Sequence, residues 1–449
     1  MSESQHIDQD LSNSVVVLGL GITGLSVVRY LTNKKDLPVV LDSRDQPPAK
    51  DELTKDFPQI KYRFGSFDKN ILAKAKQLVV SPGISVKTAA IAHAKNCGVE
   101  VIGDIEIFAR NADAPVIAIT GSNGKSTVTT LVGDILRQAG LKVAVGGNIG
   151  VPALDLLDKN ADVYVLELSS FQLETVQSLK PESAVVLNVS EDHMDRYDSY
   201  GDYITAKQRI YSGALHCVIN RDDEIVSSMR TAKGSISFGI SEPTENDYGL
   251  RSINGERWIC KGQSKLINSA DLQIGGLHNI TNVMAALALS DSFELDQEKV
   301  IKAVKQFAGL PHRMQRVGVK DGVNWYNDSK ATNVGAANAA IAGLHGKVIL
   351  IAGGESKDAD LSLLKEVVEK HVKLLILIGR DADKIEQVCR GITEIVHAVT
   401  MNEAVDIASQ SAINGDNVLL SPACASFDMF DNYEHRGDVF VAAVREVLK

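Results

Sequence analysis

The sequence predicts an α/β protein built from three consecutive domains with mostly parallel sheets. Short, continuously apolar segments alternate with glycine turns and helix-like stretches along the chain, as in Val15 to Leu31 and in Pro115 to Gly140. Such uninterrupted apolar runs are typical of parallel strands that are covered on both faces. The chain has 449 residues, which is more than a single hydrophobic core usually serves.

The strand–turn–helix pattern occurs in three series, which define the domains. The first series begins at Val15, the second near Ala114, and the third after the segment GLPHRMQ at residues 309–315. Residues 235–267 differ, since their short alternating segments favour an antiparallel edge. We therefore expect boundaries near residues 103 and 309, which give domains 1–103, 104–309 and 310–449.

Composition excludes several classes of function. The formal net charge of −10 argues against non-specific nucleic-acid binding, which needs a basic surface. The five cysteines lie far apart without a CxxC pair, as expected of reduced thiols in a cytoplasmic protein. The start MSESQHIDQD is polar and acidic, unlike a signal peptide. We expect no membrane insertion, because no apolar run approaches the ~18–20 residues of a membrane helix.

The segment ITGSNGKST, residues 119–127, follows a predicted strand and opens a predicted helix. Small residues there let backbone N–H groups approach phosphates, Lys125 supplies positive charge and the Ser126 hydroxyl suits Mg²⁺. Two residues separate Gly121 from the Gly-Lys pair, against four in the general P-loop. We predict a triphosphate site formed by this shortened loop: Gly121, Ser122, Asn123, Gly124, Lys125, Ser126 and Thr127.

Charged and polar side chains follow two later strands of the second series. Glu167 ends one strand, where a carboxylate can reach a nucleotide-bound Mg²⁺, although a surface residue is an equal alternative. His193 follows another strand, in a loop that also holds Asp192. Lys207 lies fourteen residues further on. Since a free ammonium repels Mg²⁺, the sequence by itself favours a solvated helix residue at Lys207.

The amino-terminal glycines indicate a dinucleotide-binding type of fold. Gly19, Gly21 and Gly24 fit GxGxxG after a strand, and Asp42 ends the next strand. Taken alone, this pattern favours NAD, with the acidic residue on a ribose hydroxyl. An NAD-dependent dehydrogenase is therefore one alternative, but it leaves GSNGKST and EDHMDRY unexplained.

An ordered set of motifs makes the chain resemble the Mur ligases, the ATP-dependent amino-acid ligases of peptidoglycan synthesis, and among them the branch that adds D-glutamate. The motifs are GSNGKSTVTTLVG, GGNIGVPAL, VLELSSFQLE, EDHMDRY, LPHRMQ, NDSKATN and LLSPACASFD. The resemblance implies a Rossmann-like N-terminal domain for the UDP sugar and a central P-loop-type ATPase domain with a mostly parallel sheet. It implies a Rossmann-like C-terminal domain that helps to hold ATP and the amino acid.

The resemblance also implies ligands. The substrates would be UDP-N-acetylmuramoyl-L-alanine and D-glutamate, the cofactors ATP and two Mg²⁺ ions, and the enzyme a cytoplasmic monomer. A carboxyl group would be activated as an acyl phosphate and then attacked by the amine of D-glutamate. The alternatives are another member of the superfamily, such as folylpolyglutamate synthase or a neighbouring Mur ligase, and a non-catalytic protein that binds a UDP sugar.

Matched motif by motif, the resemblance assigns roles to individual residues. The catalytic residues would be Lys125, His193 and Lys207. The metal ligands would be Ser126, Glu167, His193 and Lys207, the last carbamylated and thus an anionic oxygen ligand. The ATP site would gain Asn282, Arg313 and Asp328. The UDP-substrate site would consist of Ile22, Thr23, Asp42, Ser43, Arg44, Gly83 and Asn148. The D-glutamate site would consist of Thr332, Lys357, Ser426 and Tyr433.

Overall fold

Three mainly parallel sheets follow one another along the described part of the chain, which confirms the predicted α/β architecture. The structure is a computed structural model and describes residues 11–157, 160–229, 231, 235–357 and 359–449. The segment MSESQHIDQD, which the sequence analysis compared with a signal peptide, lies outside the described residues. None of the helices among the described residues is long and apolar enough to span a bilayer.

The first sheet lies within the described residues 15–102 and is entirely parallel, with the strand order β3-β2-β1-β4-β5. Its strands are β1 (Val15–Leu18), β2 (Val39–Asp42), β3 (Lys61–Phe64), β4 (Gln77–Val80) and β5 (Glu100–Ile102). The associated helices are α1 (Ile22–Asn33), α2 (Lys50–Asp56), α3 (Lys69–Leu72), α4 (Ala89–Asn96) and α5 (Asp104–Asn111). A Cβ on Gly24 would lie 1.9 Å from the Gly19 carbonyl oxygen. The glycine motif therefore allows α1 to start directly against the end of β1.

The second sheet lies within the described residues 116–268 and has the order β14-β13-β12-β11-β10-β9-β6-β8-β7. Its strands are β6 (Val116–Thr120), β7 (Val143–Gly147), β8 (Val163–Glu167), β9 (Ser183–Val186), β10 (His216–Asn220), β11 (Ile236–Phe238), β12 (Tyr248–Ile253), β13 (Glu256–Lys261) and β14 (Ser264–Asn268). The last three strands pair antiparallel, which confirms the antiparallel edge predicted within residues 235–267, except that β11 pairs parallel with β10 and β12.

We call each sheet with its associated helices a unit. The helices of the second unit cover this sheet on both faces. They are α6 (Lys125–Ala139), α7 (Ser170–Leu173), α8 (Tyr200–Gln208), α9 (Glu224–Ser227), α10 (Leu277–Ser290) and α11 (Gln297–Gln306). On one face, Ile119 of β6 belongs to the same buried cluster as Leu131 of α6 and Met284 of α10. On the other face, Ala118 belongs to a cluster that reaches Val17 of β1. The first and second units therefore share a continuous hydrophobic core.

The third sheet lies within the described residues 315–420 and has the order β15-β16-β20-β17-β18-β19. Its strands are β15 (Gln315–Lys320), β16 (Val323–Asn327), β17 (Val348–Gly353), β18 (Val372–Ile378), β19 (Glu394–His397) and β20 (Asn417–Leu420). The helices are α12 (Val334–Ala342), α13 (Lys365–His371), α14 (Ala382–Cys389), α15 (Met401–Ser411) and α16 (Tyr433–Leu448). Buried residues pack on both faces of the sheet. Only the β15–β16 pair is antiparallel among the described strands of this sheet.

The segments that link the three units lie between the ends of successive sheets. The first sheet ends at Ile102 and the third begins at Gln315, while the proposed boundaries near residues 103 and 309 stay a prediction. Short 3-10 helices complete the described elements: Ala153–Leu156, Arg209–Tyr211, Ser269–Asp271 and Leu361–Leu364.

Candidate active site

The predicted triphosphate loop joins β6, an interior strand of the second sheet, to helix α6. Gly124 occupies the N-cap of α6 with φ 85°, a backbone conformation that only glycine adopts without strain. A Cβ at this position would also lie 2.6 Å from Oδ1 of Asn282. The loop therefore presents the free N–H groups of the first helical turn, which is the usual arrangement for binding phosphate.

Lys125 and Lys207 meet at one carbonyl of this loop. Lys125 Nζ donates to the carbonyl oxygens of Gly121 and Ser122, at 2.8 and 2.9 Å. Lys207 Nζ donates to the same Gly121 oxygen at 2.9 Å. Burial lowers the pKa of both amines, and the proximity of Lys125 lowers that of Lys207 further. The structure thus brings together the two predicted catalytic lysines.

Lys207 is buried, contrary to the reading that the sequence alone favoured. Its side chain is only 2% exposed, and its ammonium lies 4.5 Å from the centre of the Tyr203 ring. The Tyr203 hydroxyl is in turn 2.9 Å from Ser122 Oγ. The solvated-helix interpretation was wrong because α8 packs this face against the phosphate loop, a contact between segments more than 80 residues apart.

Glu167 ends β8 beside the phosphate loop and is 3% exposed, so the alternative of a surface residue was wrong. Its Oε1 accepts a hydrogen bond from Asn148 Nδ2 at 2.7 Å. Its Oε2 is buried and has no hydrogen-bond partner among the described residues. The charge of Glu167 raises the pKa of Lys125 and Lys207. A buried carboxylate oxygen without a partner is costly, and it fits the oxygen ligand that Mg²⁺ prefers.

Asp192 adds a second negative charge to this region, although the sequence analysis did not assign it a role. Its charge raises the pKa of Lys125, His193 and Lys207. Burial outweighs this effect and lowers the pKa of His193 overall. The motif EDHMDRY contains Asp192, but only the fold shows that its charge raises the pKa of all three predicted catalytic residues.

A cavity of about 330 Å³ lies between the second and third units and contains six of the predicted ATP residues. They are Asn123, Gly124, Thr127, Asn282, Arg313 and Asp328. Arg313 NH2 donates to Ser126 Oγ at 2.9 Å, which links the third unit to the phosphate loop. Asp328 accepts from the Ser421 hydroxyl at 2.9 Å, and burial raises its pKa to about 7.

A second cavity, of about 640 Å³, lies between the first and second units. All seven residues predicted for the UDP substrate line it: Ile22, Thr23, Asp42, Ser43, Arg44, Gly83 and Asn148. Asp42 accepts from Arg44 Nε and NH2 at 2.9 and 2.7 Å and from the Leu20 backbone at 2.7 Å. Burial alone would raise the pKa of Asp42, but these hydrogen bonds outweigh it and hold the pKa below its usual value.

The four predicted D-glutamate residues lie in the third unit, and Ser426 follows Ala425, whose backbone pairs with Glu355, two residues before Lys357. Thr332 and Lys357 line a third cavity of about 420 Å³ together with His193. Lys357 and His193 both have positive φ, 50° and 58°, and such strained backbone is common at functional sites. Ser426 and Tyr433 are not among the described residues that line this cavity. Tyr433 instead lies beneath Lys330, whose Nζ is 3.6 Å from the ring centre.

Several residues of these cavities received no role in the sequence analysis, among them Lys330, Asn333 and Gln172. Lys330 lines the ATP cavity, and burial lowers its pKa to about 8. Asn333 connects the third unit to the phosphate loop, since its Nδ2 donates to Asn123 Oδ1 at 3.2 Å. Gln172 lines the second cavity. The motifs NDSKATN and VLELSSFQLE contained these residues, but spacing alone did not indicate which side chains face a cavity.

Comparison with known families accounts for almost the whole chain. Residues 13–103 match the family description "Mur ligase MurD-like, N-terminal domain". Residues 119–290 match "Mur ligase middle domain", and residues 312–424 match "Mur ligase, glutamate ligase domain". This succession of three domains is incompatible with the dehydrogenase interpretation of the amino-terminal glycines.

Individual proteins agree with the family descriptions. The chain is 48% identical over 437 residues to a protein of Pseudomonas fluorescens (strain Pf0-1) named UDP-N-acetylmuramoylalanine--D-glutamate ligase, covering 96% of this chain and 98% of that one. It is 50% identical over 429 residues to a protein of the same name from Marinobacter nauticus, with 95% and 96% coverage.

A solved structure supports the fold. The pseudomurein peptide ligase type C from Methanothermus fervidus has 20% sequence identity and a TM-score of 0.64, and the similarity covers 97% of this chain and 100% of that one. At this identity the likeness concerns the fold alone. The domain matches and the relatives near 50% identity lead to one conclusion: the chain belongs to the Mur ligase family.

Proposed function

We propose that the chain catalyses the ATP-dependent ligation of D-glutamate to UDP-N-acetylmuramoyl-L-alanine in peptidoglycan precursor synthesis. The position of Glu167 is the observation that carries this proposal. Its carboxylate accepts a hydrogen bond from Asn148, which lines the cavity between the first and second units. Its charge also acts on Lys125 of the phosphate loop. A substrate carboxyl in that cavity would therefore lie beside the nucleotide that has to activate it.

The identity of the amino acid follows from the relatives. Proteins that are 46–50% identical over nearly the full length carry the name of the D-glutamate ligase, which favours this reaction over those of neighbouring Mur ligases or folylpolyglutamate synthase. Lys357 and Thr332, in the cavity that also holds His193, are suited to a carboxylate of the amino acid, because a lysine supplies a mobile point charge. Ser426 and Tyr433 are proposed as further contacts to D-glutamate, and the resemblance alone supports them.

The proposed reaction proceeds in two steps, phosphoryl transfer and amide formation. The alanine carboxylate attacks the γ-phosphorus of ATP, an O–P bond forms, the β–γ bond breaks and ADP leaves. The amine of D-glutamate then attacks the acyl carbon, loses a proton and expels inorganic phosphate as the amide forms. Lys125 and the N-terminus of α6 stabilise the negative charge that spreads over the phosphoryl oxygens. Arg313 and Asp328 would help to orient the nucleotide from the third unit.

Mg²⁺ fits the residues at the phosphate loop. The buried Oε2 of Glu167 has no partner among the described residues, and the Ser126 hydroxyl lies in the first turn of α6. Glu167, Ser126, His193 and a carbamylated Lys207 would hold two Mg²⁺ ions. When bound, these ions would neutralise phosphate charge and so favour attack by the negatively charged carboxylate.

Carbamylation of Lys207 is supported by its surroundings. Carbon dioxide reacts with a neutral amine: an N–C bond forms, one proton is lost and a carbamate anion results. Burial among Tyr203 and the phosphate loop lowers the pKa of Lys207 well below its ordinary value, which increases the fraction of the amine in the neutral form. The carbamate would replace a cation that repels Mg²⁺ with an anionic oxygen ligand.

Phosphate release with a panel of substrates tests the proposed function. Turnover should require ATP, Mg²⁺, UDP-N-acetylmuramoyl-L-alanine and D-glutamate together, and L-glutamate and meso-diaminopimelate should give less than a few per cent of that rate. Equal rates with several amino acids, or none with D-glutamate, would contradict the assignment. The proposed enzyme works as a cytoplasmic monomer, which size-exclusion chromatography with light scattering and cell fractionation would check.

A further inference from the structure

Two carboxylates are buried at the start of α5, behind the second cavity. Asp104 is 3% exposed and Glu106 is 1% exposed. Glu106 has an evident structural role, because it accepts hydrogen bonds from the backbone N–H groups of Gln177 and Ser178 at 2.7 and 2.9 Å and from Arg110 Nε at 2.9 Å. It thereby holds the turn after α7 and has a cationic partner that offsets its burial.

Asp104 has no such cation. Its Oδ2 accepts a hydrogen bond from Gln172 Nε2 at 3.2 Å, and its Oδ1 has no hydrogen-bond partner among the described residues. Burial raises its pKa to about 6, although the Gln172 hydrogen bond and the backbone N–H groups of Ile105 and Asp104 act in the opposite direction. Burying a carboxylate with so little compensation is unfavourable for stability, so its single side-chain contact, the one to Gln172, is the place to look for its role.

Gln172 is held in one orientation by groups on both sides. Its Oε1 accepts from the Ser169 backbone N–H at 3.1 Å, and its NH₂ donates to Asp104. An amide can rotate by half a turn and exchange its donor and acceptor. The Ser169 N–H can only donate and the Asp104 carboxylate can only accept, so a single orientation satisfies both.

Gln172 also lines the cavity between the first and second units, together with Asn148 and Gly83. We propose that Asp104 is a positioning residue of this cavity: it fixes the Gln172 amide, so that the wall offers the UDP substrate one fixed set of hydrogen-bonding atoms. The inference rests on the proposed function, which places the UDP substrate in this cavity. It adds a residue that lies behind the wall and does not touch the substrate.

A purely structural role makes a different prediction. Asp104 lies in the first turn of α5, where a negative charge stabilises a helix. If helix stabilisation were the only role of Asp104, replacing Asp104 would lower the melting temperature and leave the KM for every substrate unchanged. A positioning role predicts a change in one KM only.

The test compares Asp104→Leu with Glu106→Leu, which removes an equally buried carboxylate from the same helix. For D104L we expect the KM for UDP-N-acetylmuramoyl-L-alanine to rise about tenfold, the effect of one lost hydrogen bond. The KM values for ATP and D-glutamate and the kcat should stay within about twofold. E106L should lower the melting temperature without the selective rise in KM. Asp104→Asn, which keeps an acceptor oxygen, should restore the wild-type KM.

The outcomes separate this inference from the proposed function. An unchanged KM in D104L, or an equal change in all three KM values, would overturn the positioning role while wild-type ligation leaves the proposed function standing. Absence of ligation by the wild-type protein would instead contradict the proposed function.

If D104L does not fold, as judged by circular dichroism, Asp104→Ala carries the test, because it removes the acceptor of the Gln172 amide without adding volume. The same selective rise in the KM for the UDP substrate is expected. An unchanged KM, or an equal rise in all three KM values, would overturn the proposal.

Discussion

Replacing Gly124 with alanine should weaken both ATP binding and the folded state. Gly124 has φ 85°, and an L-residue in this region costs about 1–2 kcal/mol. The added Cβ would lie 2.6 Å from Asn282 Oδ1, so the Asn282 side chain has to move. That movement puts at risk its hydrogen bond to Asn279, at 3.3 Å, which is worth about 0.5–1.5 kcal/mol. The sum is about 1.5–3.5 kcal/mol.

The same helix provides a matched control. Gly140 caps the other end of α6 with φ 106°, and a Cβ there would meet nothing within 4 Å. Gly140→Ala should therefore show the backbone strain alone, about 1–2 kcal/mol, with normal kinetics.

Thermal unfolding and steady-state kinetics together separate the two effects. G124A should melt at a lower temperature than G140A, and its KM for ATP should rise by about tenfold or more, since Gly124 and Asn282 both line the ATP cavity. The KM for the UDP substrate should change little. A G124A protein with a normal KM for ATP, or a G140A protein with an equally raised one, would refute the reasoning.

Three further predictions concern charged residues of the site. Lys125→Ala should reduce turnover by at least about 10²-fold, because it removes the charge that faces the phosphates, with a near-normal melting temperature; near-normal turnover would contradict the proposed mechanism. Lys207→Ala should abolish turnover, and a short carboxylic acid should partly rescue it; full activity without added acid would contradict the carbamate. Asp328 has a folded-state pKa raised by burial from 3.8 to about 7, so the folded protein binds the proton more tightly than the unfolded chain. Its contribution to stability therefore falls as the pH rises from about 4 to 7, and Asp328→Asn should remove that part of the pH dependence in thermal melts; an identical dependence in the variant would show that the shift is absent.

The sequence determined the local structure because its signals are local. Continuous apolar runs gave the parallel strands, and alternating segments at residues 235–267 gave the antiparallel edge. Gly24 and Gly124 could be placed at strand-to-helix turns since the steric limits that require glycine act over a few residues. Six of the seven residues expected around the UDP substrate lie at the carboxyl ends of β1, β2 and β4 of the first sheet, whereas Asn148 follows β7 of the second sheet, so the packing of the two units brings it into the same cavity.

Only the tertiary structure decided the properties that depend on distant segments. Lys207 is buried because α8 packs on a loop more than 80 residues earlier in the chain. Ser426 and Tyr433 are not among the described residues that line the cavity of Thr332 and Lys357, and Tyr433, at the start of α16, instead lies against Lys330 of the ATP cavity. The pairing of Asp104 with Gln172 likewise joins elements 68 residues apart. Burial and electrostatic environment depend on all the neighbours of a group in space. The sequence therefore identifies the candidate reactive groups, and only the fold determines which of them lie close together.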